Sequence, residues 1–204
     1  MLLYCGASAP VAAQQTAETP ATPSQATVQA LVQGLHPPGT PEADKAVPVT
    51  VRVRGQDIRI DFDPAWSHGF YLLHSGDQSG AWMIDRARRV ALPVADSSGP
   101  YWLDPGRPCA TIGGRCSPAT REVIAGRVAN GWQYRGAERG PDGTVDGTLW
   151  VDVRTGLLLG YRSSVPGQSG TRSLRVLQVS FDEIPAEMFT APQDMAQAAP
   201  EARP

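Results

Sequence analysis

Between Val49 and Phe62 the chain alternates with a period of two. Val49, Val51 and Val53 are separated by Thr50 and Arg52, and Ile58, Ile60 and Phe62 by Arg59 and Asp61. A β-strand sends successive side chains to opposite faces, so this pattern builds half-buried strands and cannot form one face of a helix. Gly55-Gln56 separates the two runs and turns the chain into a hairpin. The same reading continues downstream. GFYLLHS and GAWMIDR form a second pair joined by Ser75–Gly80, and RRVALPV, Arg88–Val94, adds a third strand. After a long excursion over residues 95–121, regular structure returns at Val123–Arg135, where Gly126 and Asn130-Gly131 mark bends or a hairpin. Thr148–Val153, Leu157–Arg162 and Arg172–Phe181 follow, with Gly160 marking a bulge or a close backbone approach. IPAEMFTAP predicts a single helical turn after Pro185. Roughly nine or ten short strands with almost no helix between them argue for a mainly β fold, an antiparallel sandwich, barrel or strongly curved sheet.

The ends of the chain have a different composition. Leu2, Leu3 and Tyr4 resemble the end of an apolar core, and Val11-Ala12-Ala13 supplies small residues before Gln14, as signal peptidase requires. Residues 1–13 are therefore expected to be the remnant of a secretory signal peptide. Tyr4 stands where a lipobox before Cys5 needs a small residue. Residues 14–48, rich in Ala, Pro, Thr and Gln, read as a flexible leader. Within it, Ser24 as N-cap and Val28, Leu31, Val32 and Leu35 at helical spacing predict one short helix over Ser24–Leu35. Residues 49–192 form the single antiparallel domain, and residues 193–204 a disordered tail. With 204 residues, a formal charge of −2 and a pI of about 5.9, the chain has no basic field for nucleic acid. No apolar run is long enough to span a bilayer.

Cysteine use agrees with export to a periplasmic compartment. Cys109 and Cys116 stand in PCATIGGRC, where Gly113-Gly114 lets the two Cβ atoms approach to bonding distance. The rival reading is a metal pair, but no second Cys or His pair lies nearby, so a disulfide is expected. Closing so small a loop would contribute roughly 2–3 kcal/mol.

Chemical motifs fail on inspection. Asp142-x-x-x-Asp146-Gly147 opens like a calcium loop, yet Thr144 and Val153 occupy positions that need Asp or Asn and a bidentate Glu. Leu149-Trp150-Val151 reads as strand, and Asp152–Gly156 as a hairpin connection that Asp152 caps with its side chain. In Gly76-Asp77-Gln78-Ser79-Gly80 the serine falls one place late for a nucleophile elbow, and His74, Asp77 and Ser79 read as turn residues. His36, His68 and His74 lack the paired spacing of a zinc site. No catalytic residue, metal ligand or cofactor is expected, and the chain is read as not an enzyme.

The apolar pattern says more. Leu72-Leu73, Trp82-Met83-Ile84, Leu149-Trp150-Val151 and Leu157-Leu158-Leu159 are apolar at adjacent positions, so the sheet is hydrophobic on both faces. Each exposed Leu or Trp would forgo roughly 1.5–3 kcal/mol of burial. One face therefore needs a second cover: another layer of the protein, or an apolar ligand.

Several segments carry a family resemblance. VRVRGQDIRIDF and YLLHSGDQSGAWMIDRARRVALPV, followed by VIAGRVANGWQYRG, GTLWVDVRTGLLLGYRS and SLRVLQVSFDEIPAEMFTAP, are similar to the periplasmic lipoprotein-carrier-like (LolA- and RseB-like) half-barrels. The matching pieces include Gly126, Trp132 and Tyr134, then Trp150-Val151-Asp152 with Thr155-Gly156-Leu157, and Ile184-Pro185 with Met188-Phe189 before Pro192. The resemblance covers about Val49 to Pro192 and implies an open half-barrel: an unclosed, strongly curved antiparallel sheet with few short helices and an apolar concave face partly plugged by helices or loops. Its members carry lipoproteins, bind lipids or sense envelope stress, and the group supplies no catalytic residues. This chain lacks the amphipathic plug helices of the true carrier. Leu72, Trp82, Ile84, Trp150 and Leu158 are expected to line or border a cavity for a lipid or acylated protein. The alternative is an envelope interaction module that pairs its open sheet edge with a protein partner.

Overall fold

Why these segments become strands, and which faces they bury, is visible in a computed structural model of the chain. It describes residues 23–35, 40, 45–76, 80–94, 99–164, 171–192 and 195–197. The expected signal-peptide remnant at 1–13, most of the expected leader, Ser79 and His36 lie outside the described residues.

Among the described residues twelve strands form one sheet: β1 (Gln25–Gln33), β2 (Val47–Arg54), β3 (Asp57–Phe62), β4 (Phe70–His74), β5 (Ala81–Asp85), β6 (Val90–Val94), β7 (Arg115–Ile124), β8 (Arg127–Arg135), β9 (Gly147–Asp152), β10 (Leu158–Ser164), β11 (Thr171–Ser180) and β12 (Ala196–Gln197). Their spatial order is β12-β6-β5-β4-β3-β2-β1-β11-β10-β9-β8-β7, with every pairing antiparallel except that of β12 with β6. The two helices among the described residues, α1 (Pro64–Ser67) and α2 (Cys109–Ile112), are single turns, and Ala186–Phe189 forms the one turn expected after Pro185. The sheet is not closed: β7 and β12 are its edges. It is the expected open half-barrel.

The first strand corrects the sequence reading. Gln25–Gln33 is not a helix but the central strand of the sheet, paired with β2 on one side and β11 on the other. Ala26, Val28, Ala30 and Val32 are all buried and point to one face. Val28 and Val32, four residues apart, satisfy both a helical and an alternating template, and two waiting strands decide between them. The sheet thus begins inside the supposed leader. At the other end, β12 puts two residues of the supposed tail onto the edge of β6.

The hairpins follow their turn chemistry. Gly55-Gln56 closes β2–β3, and Asp152 accepts bonds from the Arg154 and Thr155 amides at 2.8 Å each to close β9–β10. The β7–β8 turn is Ala125-Gly126, both at positive φ, whereas Asn130-Gly131 lies within β8. Gly131 is needed for space: a Cβ there would meet the Thr120 carbonyl oxygen at 2.2 Å.

Two layers cover the sheet. On the concave face, the segment between β6 and β7 folds inward as a plug, so the excursion ends at Gly114 rather than at Arg121. Tyr101, Leu103 and Ile112 are buried in the main core with Val28, Val51, Leu149, Val151 and Leu158. Amide bonds of 2.8 Å run from Leu103 to the Gly156 carbonyl and from Leu158 to the Tyr101 carbonyl. The Pro105 carbonyl accepts from Asn130 Nδ2 and Trp132 Nε1 at 3.2 Å each. The expected disulfide joins Cys109 of the plug to Cys116 of β7, with Cα atoms 5.7 Å apart. On the convex face, residues after β11 run across β3–β6, and Ile184 and Phe189 bury Tyr71, Leu73, Ile84 and Ala91 in a second core. Arg59, itself buried, donates to the Met188 carbonyl, pairs with Asp61 at 2.7 Å and lies over the Tyr71 ring. These two covers account for the double-faced apolar pattern of β4 and β5.

Candidate functional site

The plug does not fill the whole hollow. Between it and β1–β5 a cavity of about 240 Å³ remains, with walls from Val32, Val49, Val51, Ile60, Leu72, Met83, Leu158 and Leu174. Strand register makes this lining continuous. Val51 pairs with Ile60, Ile60 with Leu72, Leu72 with Met83, and Met83 with Leu92, so one apolar row crosses five strands. Leu92, at its outer end, is 43% exposed, so the row runs from a buried interior towards open edge. Phe62, Trp66 and Phe70 cluster beside it, with centroids 5.1–5.7 Å apart, where α1 links β3 to β4. Asp63 caps that turn through the Ala65 amide, and His68 ends it in the left-handed region.

One end of the cavity is polar. Asp142 and Tyr161 both line it. Asp142 sits at positive φ and pairs with Arg172 at 3.4 Å. Burial, reinforced by the Asp142 carboxylate, pushes the Tyr161 phenol well above its ordinary range. Nearby, Tyr134 and Thr144 share a buried 2.5 Å hydrogen bond, and burial raises the Tyr134 phenol as well. Both phenols are therefore neutral at physiological pH, and the cavity offers an apolar wall with a neutral hydroxyl and one paired carboxylate at its end. Among the described residues no group of three or more metal-ligating side chains comes together. His74 shares a 2.9 Å hydrogen bond with the Gly80 carbonyl.

The five residues singled out from the sequence divide between the two faces. Leu72 and Leu158 line the cavity. Trp82 and Ile84 do not: they pair with Leu73 and Tyr71 and lie beneath the C-terminal segment. Trp150 is also on the outer side, in register with Gly131 and Gly160, while its neighbours Leu149 and Val151 face the core. Its indole N–H donates to the Thr120 carbonyl at 3.2 Å. Met83, Val51 and Ile60 take the places expected of Trp82 and Ile84. The signal for them was present, because equal strands around Ser75–Gly80 put Met83 opposite Leu72.

The longer edge strand is β7. It carries Pro118, a bulge between Ala119 and Glu122, and the charges Arg115 and Arg121. Each of these devices discourages strand addition.

Neither a family model nor a curated protein matches the sequence. Solved structures do match the fold. An uncharacterised conserved protein of Thermus thermophilus superposes with a TM-score of 0.55 at 9% identity, over 86% of this chain and 90% of that one. MucB superposes with a TM-score of 0.50 at 12% identity over 85% of this chain, which spans only 59% of MucB. A LolA superfamily protein of Nitrosomonas europaea is looser, at a TM-score of 0.38 and 16% identity, over 82% of this chain and 89% of that one. At these identities the likeness is one of fold. No helix among the described residues is long and apolar enough to cross a membrane.

Proposed function

We propose that the chain is a non-enzymatic periplasmic protein that accommodates a lipid acyl chain, free or on an acylated protein, in the cavity between plug and sheet. The observation that carries this reading is the continuous apolar row Val51–Ile60–Leu72–Met83–Leu92, which leads from a buried hollow to partly exposed leucine. At about 240 Å³ the hollow lies just below the ~300–1,000 Å³ of sites for drug-sized ligands. That size suits one slender chain better than a ring system. Binding would be burial of apolar surface against a preformed wall, with Tyr161 or Arg172 orienting a polar head. The disulfide suits an oxidising compartment, in keeping with periplasmic export. Pairing of a protein partner with the β7 edge is the weaker reading, since Pro118 and the bulge oppose it.

Native mass spectrometry after gentle extraction tests the proposal. Co-purified lipid is expected on the unaltered protein and should be lost from Val51→Phe, which fills the inner end of the row. A strictly unliganded mass across several preparations, with no uptake of added fatty acid, would remove it.

A further inference from the structure

The concave floor continues past the acyl cavity into a larger cleft of about 490 Å³. Val53 pairs with Ile58 and Ile58 with His74, and all three line that cleft. The row beside them is Val51, Ile60 and Leu72, which lines the cavity. Each residue of one row stands two positions along its strand from a residue of the other, a step of about 6–7 Å on the same face. Tyr101 of the plug belongs to the walls of both spaces, and Asp142 of the cavity lies in the chain between Gly140 and Gly143 of the cleft. The cleft therefore adjoins the polar end of the cavity.

Its chemistry differs from that of the cavity. Glu138 and Arg139, in the loop between β8 and β9, bring opposite charges to its wall, and their backbone amides are anchored to the Ile112 carbonyl at 3.0 and 2.9 Å. Arg139 spends one Nη2 donor on the Thr111 carbonyl at 2.9 Å and has no carboxylate partner among the described residues. The Glu138 side chain has no partner among them either. On the plug side, Trp102 Nε1 is the one buried side-chain polar atom of the described residues that lacks a hydrogen bond. A buried donor left unpaired is costly, and an acceptor brought into the cleft recovers the bond once the half-buried ring turns towards it. Asp142 is already paired with Arg172, so selection of a head group falls to Glu138 and Arg139. Glu138 repels an anionic head, Arg139 repels a cationic one, and a head with both charges is held by both. The several oxygens of a phosphate suit donors on two walls, Arg139 and Trp102, better than a planar carboxylate does.

We propose that this cleft receives the head of the acyl guest and that the head is zwitterionic, with a phosphate ester against Arg139 and Trp102 and an ammonium against Glu138. The proposal rests on the acyl reading and names its substrate class, an aminophospholipid rather than an acidic one.

Displacement of a fluorescent fatty acid from the full chain, below micelle-forming concentrations, compares lysophosphatidylethanolamine with lysophosphatidylglycerol of the same chain length. The first is expected to displace at about fivefold lower concentration at low salt, a preference that high salt reduces. Glu138→Lys should reverse the order of the two, an inversion that a merely structural role would not give. Trp102→Phe, which keeps a ring but removes the N–H, should weaken both alike. Circular dichroism of the Glu138 variant should be unchanged, as that side chain is exposed. Glycerophosphoethanolamine, the same head without a chain, should bind about a hundredfold more weakly by calorimetry, since it buries no chain. Equal displacement by the two lysolipids, or an order unchanged in Glu138→Lys, overturns the proposal and leaves the acyl reading intact. Tight binding of the chainless head overturns it too, because cleft and cavity would then act separately. If the fatty acid itself does not bind, the acyl reading falls and takes this inference with it.

Discussion

Asp152 shows how one side chain can terminate a strand and fix the next. It is 1% exposed, yet it accepts from the Arg154 and Thr155 amides and pairs with Arg127 at 2.5 Å. Burial alone would raise its carboxyl. The Arg127 guanidinium and the two turn amides outweigh that and hold it below the usual range. The unfolded chain therefore binds the proton more readily than the folded one. The resulting stabilisation is complete above the unfolded carboxyl pKa of about 3.9 and disappears as pH falls through the lower folded value. Asp152→Ala should cost roughly 2–4 kcal/mol at neutral pH, because it strips two amides and a guanidinium of their acceptor. In urea unfolding at a series of pH values, the gap between variant and parent should narrow below about pH 4. A gap that stays constant down to acid pH would mean the carboxylate charge contributes nothing. The role of Asp152 was legible because Asp-x-x-x-Gly between apolar runs has a turn mechanism behind it. The Arg127 partner was not, since 25 residues separate them.

At the scale of elements, legibility follows how local the determining interaction is. The β2–β3 and β4–β5 hairpins are closed by nearby turn residues and alternate cleanly, so sequence suffices. β1 carries a pattern compatible with two periods, and its state is set by strands β2 and β11, the latter about 140 residues away. The plug is the opposite case: its irregular sequence hides a cover for the concave face, and only the cysteine pair hinted at a tether. That pair ties α2 to the start of β7, so it restrains plug and edge strand together. A Cys109→Ala/Cys116→Ala protein should lose roughly 2–3 kcal/mol in denaturant unfolding. Amide exchange should accelerate first near Arg115–Ser117 and in the Ile112 carbonyl contacts to Glu138 and Arg139. Uniform acceleration over all strands would instead indicate a tether that stabilises only through the unfolded chain.

For the whole molecule, the decisive property is that neighbouring residues of one strand belong to different compartments. A reading of sequence sees Leu72 and Leu73 as equals, and likewise Trp82, Met83 and Ile84. The curvature of the sheet and the two covers separate them: Leu72 and Met83 face the hollow, while Leu73, Trp82 and Ile84 lie under the C-terminal segment. Which side curls inward depends on the whole sheet and on where the plug folds, and alternation alone cannot supply it. The separation makes opposite demands on adjacent leucines. Leu73→Ala opens a void inside a filled core and should cost about 2–5 kcal/mol while leaving acyl uptake unchanged. Leu72→Ala enlarges an existing hollow instead, so surrounding groups lose fewer contacts and the expected cost falls at the low end of that range. Its signature should be a shift in preference towards longer or branched fatty acids, read by competition against a fluorescent one. If both variants lose stability equally and neither alters that preference, the hollow is an incidental packing gap, and the concave face is simply a core shared by sheet and plug.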